Sequence, residues 1–342
     1  MRDFIFLLLF FGVLLTVSSP AFCRDEDIGG FVKNPYENAC ENPCCLFRGA
    51  SPSLGTSSLS SAVSSDGEWR WRTRLAPYAS WENYQQQDRF PGFSASTFGF
   101  MTDFERHGKR NFFLGFDAGG DWISVHEKDR FLDKNIDAFK MLLRGGMERD
   151  QWAFDLGVGY GCQSQDLMQT TNSAKWSGDR YSDQFGFRGV FRIKVSSGLF
   201  QMEPFLGFDY LNLKENGYRM EPVYGTSDIL TFARNRHESQ GGMLGLRYQW
   251  RQTGEFVTWY PELSGAWHHE FGDTTLFRSS WIDPFPTVYT VSRYENDKDR
   301  LIFGALILGK VGKYMDIFFC YSASIAGGGN IHSIMTGMNW YF

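Results

Sequence analysis

The sequence predicts an all-β fold: a 12-stranded antiparallel transmembrane β-barrel of an outer membrane. Three observations carry that expectation. In the final segment Ile334, Thr336, Met338, Trp340 and Phe342 share one parity, and Ser333, Met335, Gly337, Asn339 and Tyr341 the other. Side chains of a strand alternate between faces in this way, and a last strand ending on aromatics suits a barrel that must pair its ends to remove both edges. The aromatics, 33 Phe, 11 Trp and 15 Tyr beside 37 Gly, are spread among charges over the whole length rather than gathered into one core. One face toward lipid and one toward water produces that pattern. Finally, tight and long links alternate along the chain, as short turns on one side of a membrane and longer loops on the other require.

Residues 1–23 read as a secretory signal peptide. A short start with one Arg precedes the apolar run Phe4 to Val17, and small residues around Ala21 and Cys23 suit cleavage. The run is short for the ~30 Å hydrocarbon core that an anchoring helix must cross. No later stretch is apolar enough to span as a helix.

Residues 24–67 form a pre-barrel segment. Cys40, Cys44 and Cys45 lie in its first half, and an oxidising compartment makes a disulfide among them the default, with connectivity open. The same C-x3-C-C spacing could serve a metal, but no His is near. The second half, 51–66, is Ser-rich and linker-like, with a weak helical tendency around Leu59 to Val63.

Residues 68–342 carry the barrel. Alternating segments fall near 68–81, 92–106, 110–125, 134–147, 150–163, 181–195, 199–213, 235–251, 255–271, 288–309, 312–323 and 328–342. The tenth holds Asn296-Asp297-Lys298-Asp299, too polar to face lipid, so its upper part is expected to stand clear of the membrane. Tight links fall at His107-Gly108-Lys109, Glu148-Arg149-Asp150, Ser196-Ser197-Gly198, Gln252-Thr253-Gly254 and Lys310-Val311-Gly312, and long ones at 164–180, 214–234 and 272–287.

Parity sorts the charges. Trp69, Trp71 and Leu75 oppose Arg70, Arg72 and Arg74, and an Arg facing lipid at the midplane would cost ~2–4 kcal/mol, so the Arg row should face the lumen. The same test sends Asp155, Arg188, Arg192, Lys194, Glu203, Asp209, Arg247, Glu262 and Asp316 inward, with Asp117 and Asp121. The expected lumen is polar and carries both signs. Mutual pairing explains this as readily as a translocation path. Net charge is −5 and no basic block points to nucleic acid. No cofactor motif is present; Gly327-Gly328-Gly329 fits a hairpin.

Several segments, in order, resemble the C-terminal translocator barrel of bacterial autotransporters, the type V secretion family. These are Trp69 to Trp81, Met202-Glu203-Pro204-Phe205 through Tyr210, Gly242 to Trp250 with Gly245-Leu246-Arg247, Pro261 to Phe271 with Trp267-His268-His269-Glu270-Phe271, and Gly337 to Phe342. The resemblance implies insertion among outer-membrane lipids of a Gram-negative-type bacterium by the barrel assembly machinery. That machinery would read Met338, Trp340 and Phe342 as an assembly signal. It also implies that the segment before the barrel threads the pore. A typical member carries a long passenger, whereas about 44 residues lie here between signal and first strand. Extended at ~3.3 Å each they reach ~145 Å, enough to cross a bilayer, but they are few for a domain that folds unaided.

Three functions follow from these readings. One is a non-enzymatic structural or binding protein, or translocator remnant, with its pore held by the N-terminal segment and its surface loops free for an unidentified ligand. Another is a small-solute porin or channel. The third is an outer-membrane hydrolase built around His268-His269-Glu270 with Asp273. Adjacent strand residues diverge, so only His268 and Glu270 could share a side, and no nucleophile motif accompanies them.

Overall fold

The computed structural model describes residues 70–84, 92–108, 112–127, 132–170, 173–197, 199–272, 275–283, 285–295 and 298–342. The residues expected to form a signal peptide (1–23) and a pre-barrel segment (24–67, with Cys40, Cys44 and Cys45), together with Trp69 and Asp273, lie outside these residues.

Twelve long strands form a ring: β1 (Arg70–Tyr84), β2 (Phe93–His107), β3 (Phe112–Glu127), β4 (Leu132–Glu148), β5 (Trp152–Thr170), β6 (Lys175–Ile193), β7 (Phe200–Glu215), β8 (Asn235–Trp250), β9 (Val257–Glu270), β10 (Asp299–Val311), β11 (Met315–Ala326) and β12 (Gly329–Tyr341). Each pairs antiparallel with its neighbours in sequence. β12 closes the ring on β1, with Thr73 opposite Trp340 and Leu75 opposite Met338. The seam finishes in a reciprocal backbone pair. Trp71 N–H donates to Phe342 O at 2.8 Å, and Phe342 N–H to Trp71 O at 3.1 Å. A closed ring leaves no unpaired backbone toward lipid, the condition for crossing a bilayer with strands.

The outward faces carry Trp71, Leu75, Phe98, Phe100, Leu143, Leu206, Leu244, Phe303 and Phe319, all well exposed. Toward the end opposite the seam the outward positions become polar: Asp137, Asn135 and Asp133 on β4, Asp166 on β5, Asp183 and Asp179 on β6. These strand ends stand above the apolar band. The link expected at 164–180 is therefore mostly strand, because β5 and β6 stay paired from Trp152↔Ile193 to Thr170↔Lys175.

The two longest loops hold strands of their own. Tyr218–Tyr224 pairs with the top of β6 and with Ile229–Phe232, which pairs in turn with Thr275–Asp283, and that with Phe285–Glu295. The tenth segment, expected at 288–309, is accordingly divided. Its first part belongs to this upper sheet, and the barrel strand begins at Asp299. Alternation cannot separate the two, since both are strands.

Candidate functional site: the barrel lumen

Near the seam end the inner wall carries a girdle of charge. On β1 and β2, Arg72 Nη2 donates to Glu105 at 2.9 Å, and Arg74 Nε lies 3.0 Å from Asp103 and donates to Asn339 of β12 at 3.0 Å. Arg144 of β4 reaches two strands, lying 2.8 Å from Asp117, 3.0 Å from Glu105 and 3.3 Å from Asp103. Asp155 pairs with Arg192, and Glu148 with Lys194. Arg247 bridges Glu203 and Glu262, each at 3.0 Å. Lys310 stands opposite Asp316, which accepts from Tyr341 O–H and so returns the girdle to β12.

Seven cations and eight anions named here make up the girdle, so it has no strong sign with which to select a permeant ion. Arg72, Arg74, Asp103, Glu105, Glu203, Arg247 and Glu262 are all no more than 3 % exposed. Buried pairs gain little over apolar side chains, because desolvation offsets their attraction. The girdle is therefore better read as a device that fills and fixes the wall than as a source of stability.

Glycines permit the long reaches. Arg144 crosses Gly115 of β3 to touch β2. Tyr78 lies over Gly99, whose added Cβ would stand 2.5 Å from both its ring and Asp121, and Lys140 then donates to the Tyr78 hydroxyl. His268 crosses Gly241 of β8 to meet Asp209 of β7 at 2.9 Å. The charges were legible in the sequence. The glycines that seat them, Gly99, Gly115 and Gly241, were not singled out there, although Gly115 shares the parity of Asp117 and Asp121 on its own strand.

The rest of the wall departs from expectation. Ala76, Tyr78, Leu306, Leu308, Phe318, Cys320 and Met335 form an apolar cluster that faces inward from β1 and β10–β12, with Tyr260 against it. Phe205, Met243 and Ala266 form another with Val190 and Ile302. A lumen that is polar throughout is thus corrected to a two-sided one. β10 is the reason: Leu301 to Leu308 is apolar on both faces, so parity alone could not identify its inner side. Between the two sides lies a cavity of about 200 Å³ bordered by Arg188, Asp209, His268, Met243, Ile302 and Leu306. It is smaller than the ~300 Å³ at which small-molecule pockets begin.

Arg72, Arg74, Asp155, Arg188, Arg192, Lys194, Glu203, Asp209, Arg247, Glu262 and Asp316 thus all line the lumen or its seam-end mouth. The backbone of Arg70 opens β1 opposite His107. Met338, Trp340 and Phe342 share the outward face of β12 and its end. The rim residues of β9 are committed elsewhere. His268 turns inward to Asp209, Glu270 accepts from Ser239 at 3.0 Å, and outward His269 and Trp267 both bond Asp299 at 2.9 Å. Those two bonds hold the exposed Asp299 carboxyl below its ordinary range.

A family model described as the autotransporter beta-domain matches residues 73–322. Among solved structures the chain is similar to the translocator domain of the autotransporter NalP from Neisseria meningitidis, with 12% identity over 84% of this chain and 93% of that one, TM-score 0.66. It is also similar to the beta domain of the Bordetella autotransporter BrkA, at 12% identity over 79% and 98%, TM-score 0.59. A third is the transport unit of AIDA-I from Escherichia coli, at 11% identity over 85% and 96%, TM-score 0.55. At these identities the likeness is one of fold. No curated protein sequence matches.

Proposed function

We propose that this chain, which belongs to the autotransporter beta-domain family, is an outer-membrane barrel that keeps its own 24–67 segment in the lumen and presents the upper sheet at the cell surface. In this reading the seam end faces the periplasm, and the barrel is a structural or binding platform, or a translocator remnant, rather than an open pore or an enzyme. The observation that carries it is the inner apolar wall: Leu306, Leu308 and Met335 are each 2 % exposed and Phe318 3 %. The interior of a water-filled porin is polar. An apolar inner face on β10–β12 favours a polypeptide occupant, and Leu54, Leu59, Ala62 and Val63 give the pre-barrel segment apolar residues to set against it. The girdle's many donors, with Arg72 Nε and Nη1 and Arg74 Nη2 lacking acceptors among the described residues, suit backbone carbonyls of the same segment.

Planar-bilayer conductance tests the proposal. The full chain should conduct weakly, and deletion of residues 24–66 should raise conductance sharply. High conductance in the full chain would overturn the plug and favour a small-solute porin.

A further inference from the structure

Among the described residues, the four most exposed large apolar side chains are Phe256 at 83 %, Tyr314 and Phe342 at 70 %, and Leu199 at 65 %. All four lie at the seam end. Leu199 stands on the β6–β7 turn, Phe256 on β8–β9, Tyr314 on β10–β11, and Phe342 at the β12–β1 seam. They mark three successive turns and the seam, one continuous arc over half of the rim. The other half differs. The β4–β5 turn exposes Arg149, Asp150 and Gln151, and Lys109-Arg110-Asn111 of the β2–β3 link is polar in sequence.

Phe342 continues the outward face of β12, and the other three stand on turns beside the lipid-facing surface. Just above the arc lie the outward aromatics Phe200, Tyr248 and Trp250, with ring centroids 5.8 Å apart in each successive pair, and Trp259 of β9. Aromatics of this kind mark where a barrel meets the membrane interface. Phe256 stands in the bend of the β8–β9 turn, one residue before β9 begins at Val257. On this half exposed apolar side chains lie beyond the belt, beside the exposed Arg251, Glu255 and Lys313 of the same turns, while on the other half the turn before Trp152 exposes Arg149, Asp150 and Gln151 and no large apolar side chain.

We propose that the β6–β12 half of the seam-end rim is sunk into the phospholipid leaflet, with Leu199, Phe256, Tyr314 and Phe342 as interfacial anchors, so that the barrel sits asymmetrically in its membrane. The side of the membrane rests on the orientation proposed above, but the asymmetry does not depend on what occupies the lumen. The test places a benzoylphenylalanine photocrosslinker at Phe256, at Tyr314 and, on the opposite half, at Gln151. Each full-chain variant is reconstituted into vesicles containing alkyne-tagged phosphatidylethanolamine, and folding is checked by heat-modifiable electrophoretic mobility. Lipid adducts at positions 256 and 314 should exceed those at 151 several-fold. Equal yields at all three positions would overturn the proposal, as would adducts in intact cells that join 256 and 314 to a periplasmic protein instead of lipid. Conductance reports on the plug separately, so the two readings can fail independently.

Discussion

Arg247 holds two acids at once, with Glu203 and Glu262 each 3.0 Å from its guanidinium and each 2 % exposed. Arg247→Met would leave both carboxylates buried beside an apolar chain. Breaking a buried pair from one side costs ~3–5 kcal/mol, and the urea midpoint of the folded barrel in detergent should fall accordingly. Changing Glu203 and Glu262 to Gln in the same chain should restore much of the loss, because the uncompensated charge goes with them. A triple variant no more stable than Arg247→Met would show that the pairing is not what Arg247 supplies. Gly99→Ala probes the glycine seats. The new methyl would meet Tyr78 and Asp121 at 2.5 Å, and overpacking of this kind costs ~1–3 kcal/mol. Adding Tyr78→Leu should recover part of that loss in the same unfolding measurement. At this scale the sequence was informative about direction. Parity puts Arg247 and Glu262 inside because each strand states it locally. Which acid each Arg meets depends on register between strands, which no single segment contains.

At the level of elements, β10 and the upper sheet are where sequence and structure part. Wall strands and loop strands draw on the same residues, so 285–295 and 299–311 read as one interrupted segment. What separates them is pairing: β10 lies between β9 and β11, whereas Thr275–Asp283 and Phe285–Glu295 pair with each other and meet the rest of the upper sheet through the four residues Ile229–Phe232. The hairpin should thus be dispensable to the wall. Replacing 275–295 with a short Gly-Ser link is expected to leave heat-modifiable mobility and outer-membrane fractionation unchanged. Loss of the folded band would mean that the upper sheet is needed to close the barrel. The extended β5–β6 hairpin carries the same lesson. Its outward residues turn polar at Cys162, Ser164 and Asp166, which led the sequence reading to a loop, yet the pairing continues to Thr170. Polarity marks the end of the lipid band, not the end of the strand.

For the whole molecule, closure and assembly meet at one place, and they can be separated. The seam is held by backbone: eleven register pairs join β1 to β12, and the two Trp71–Phe342 bonds finish it. The Phe342 side chain contributes little to that closure, being 70 % exposed. If Met338, Trp340 and Phe342 act as a signal to the assembly machinery, the side chain matters before folding and the backbone after it. Phe342→Ser keeps both backbone bonds. The variant refolded in detergent should stay within about 0.5 kcal/mol of the parent, as surface substitutions generally do. In cells the same variant should accumulate less heat-modifiable barrel in the outer membrane. Deletion of Tyr341 and Phe342 removes the two backbone bonds and the Tyr341–Asp316 contact, so it should lower both readouts. Normal cellular assembly of Phe342→Ser would remove Phe342 from the signal and leave it its place at the rim. A matching loss of refolded stability would show that its role is packing after all.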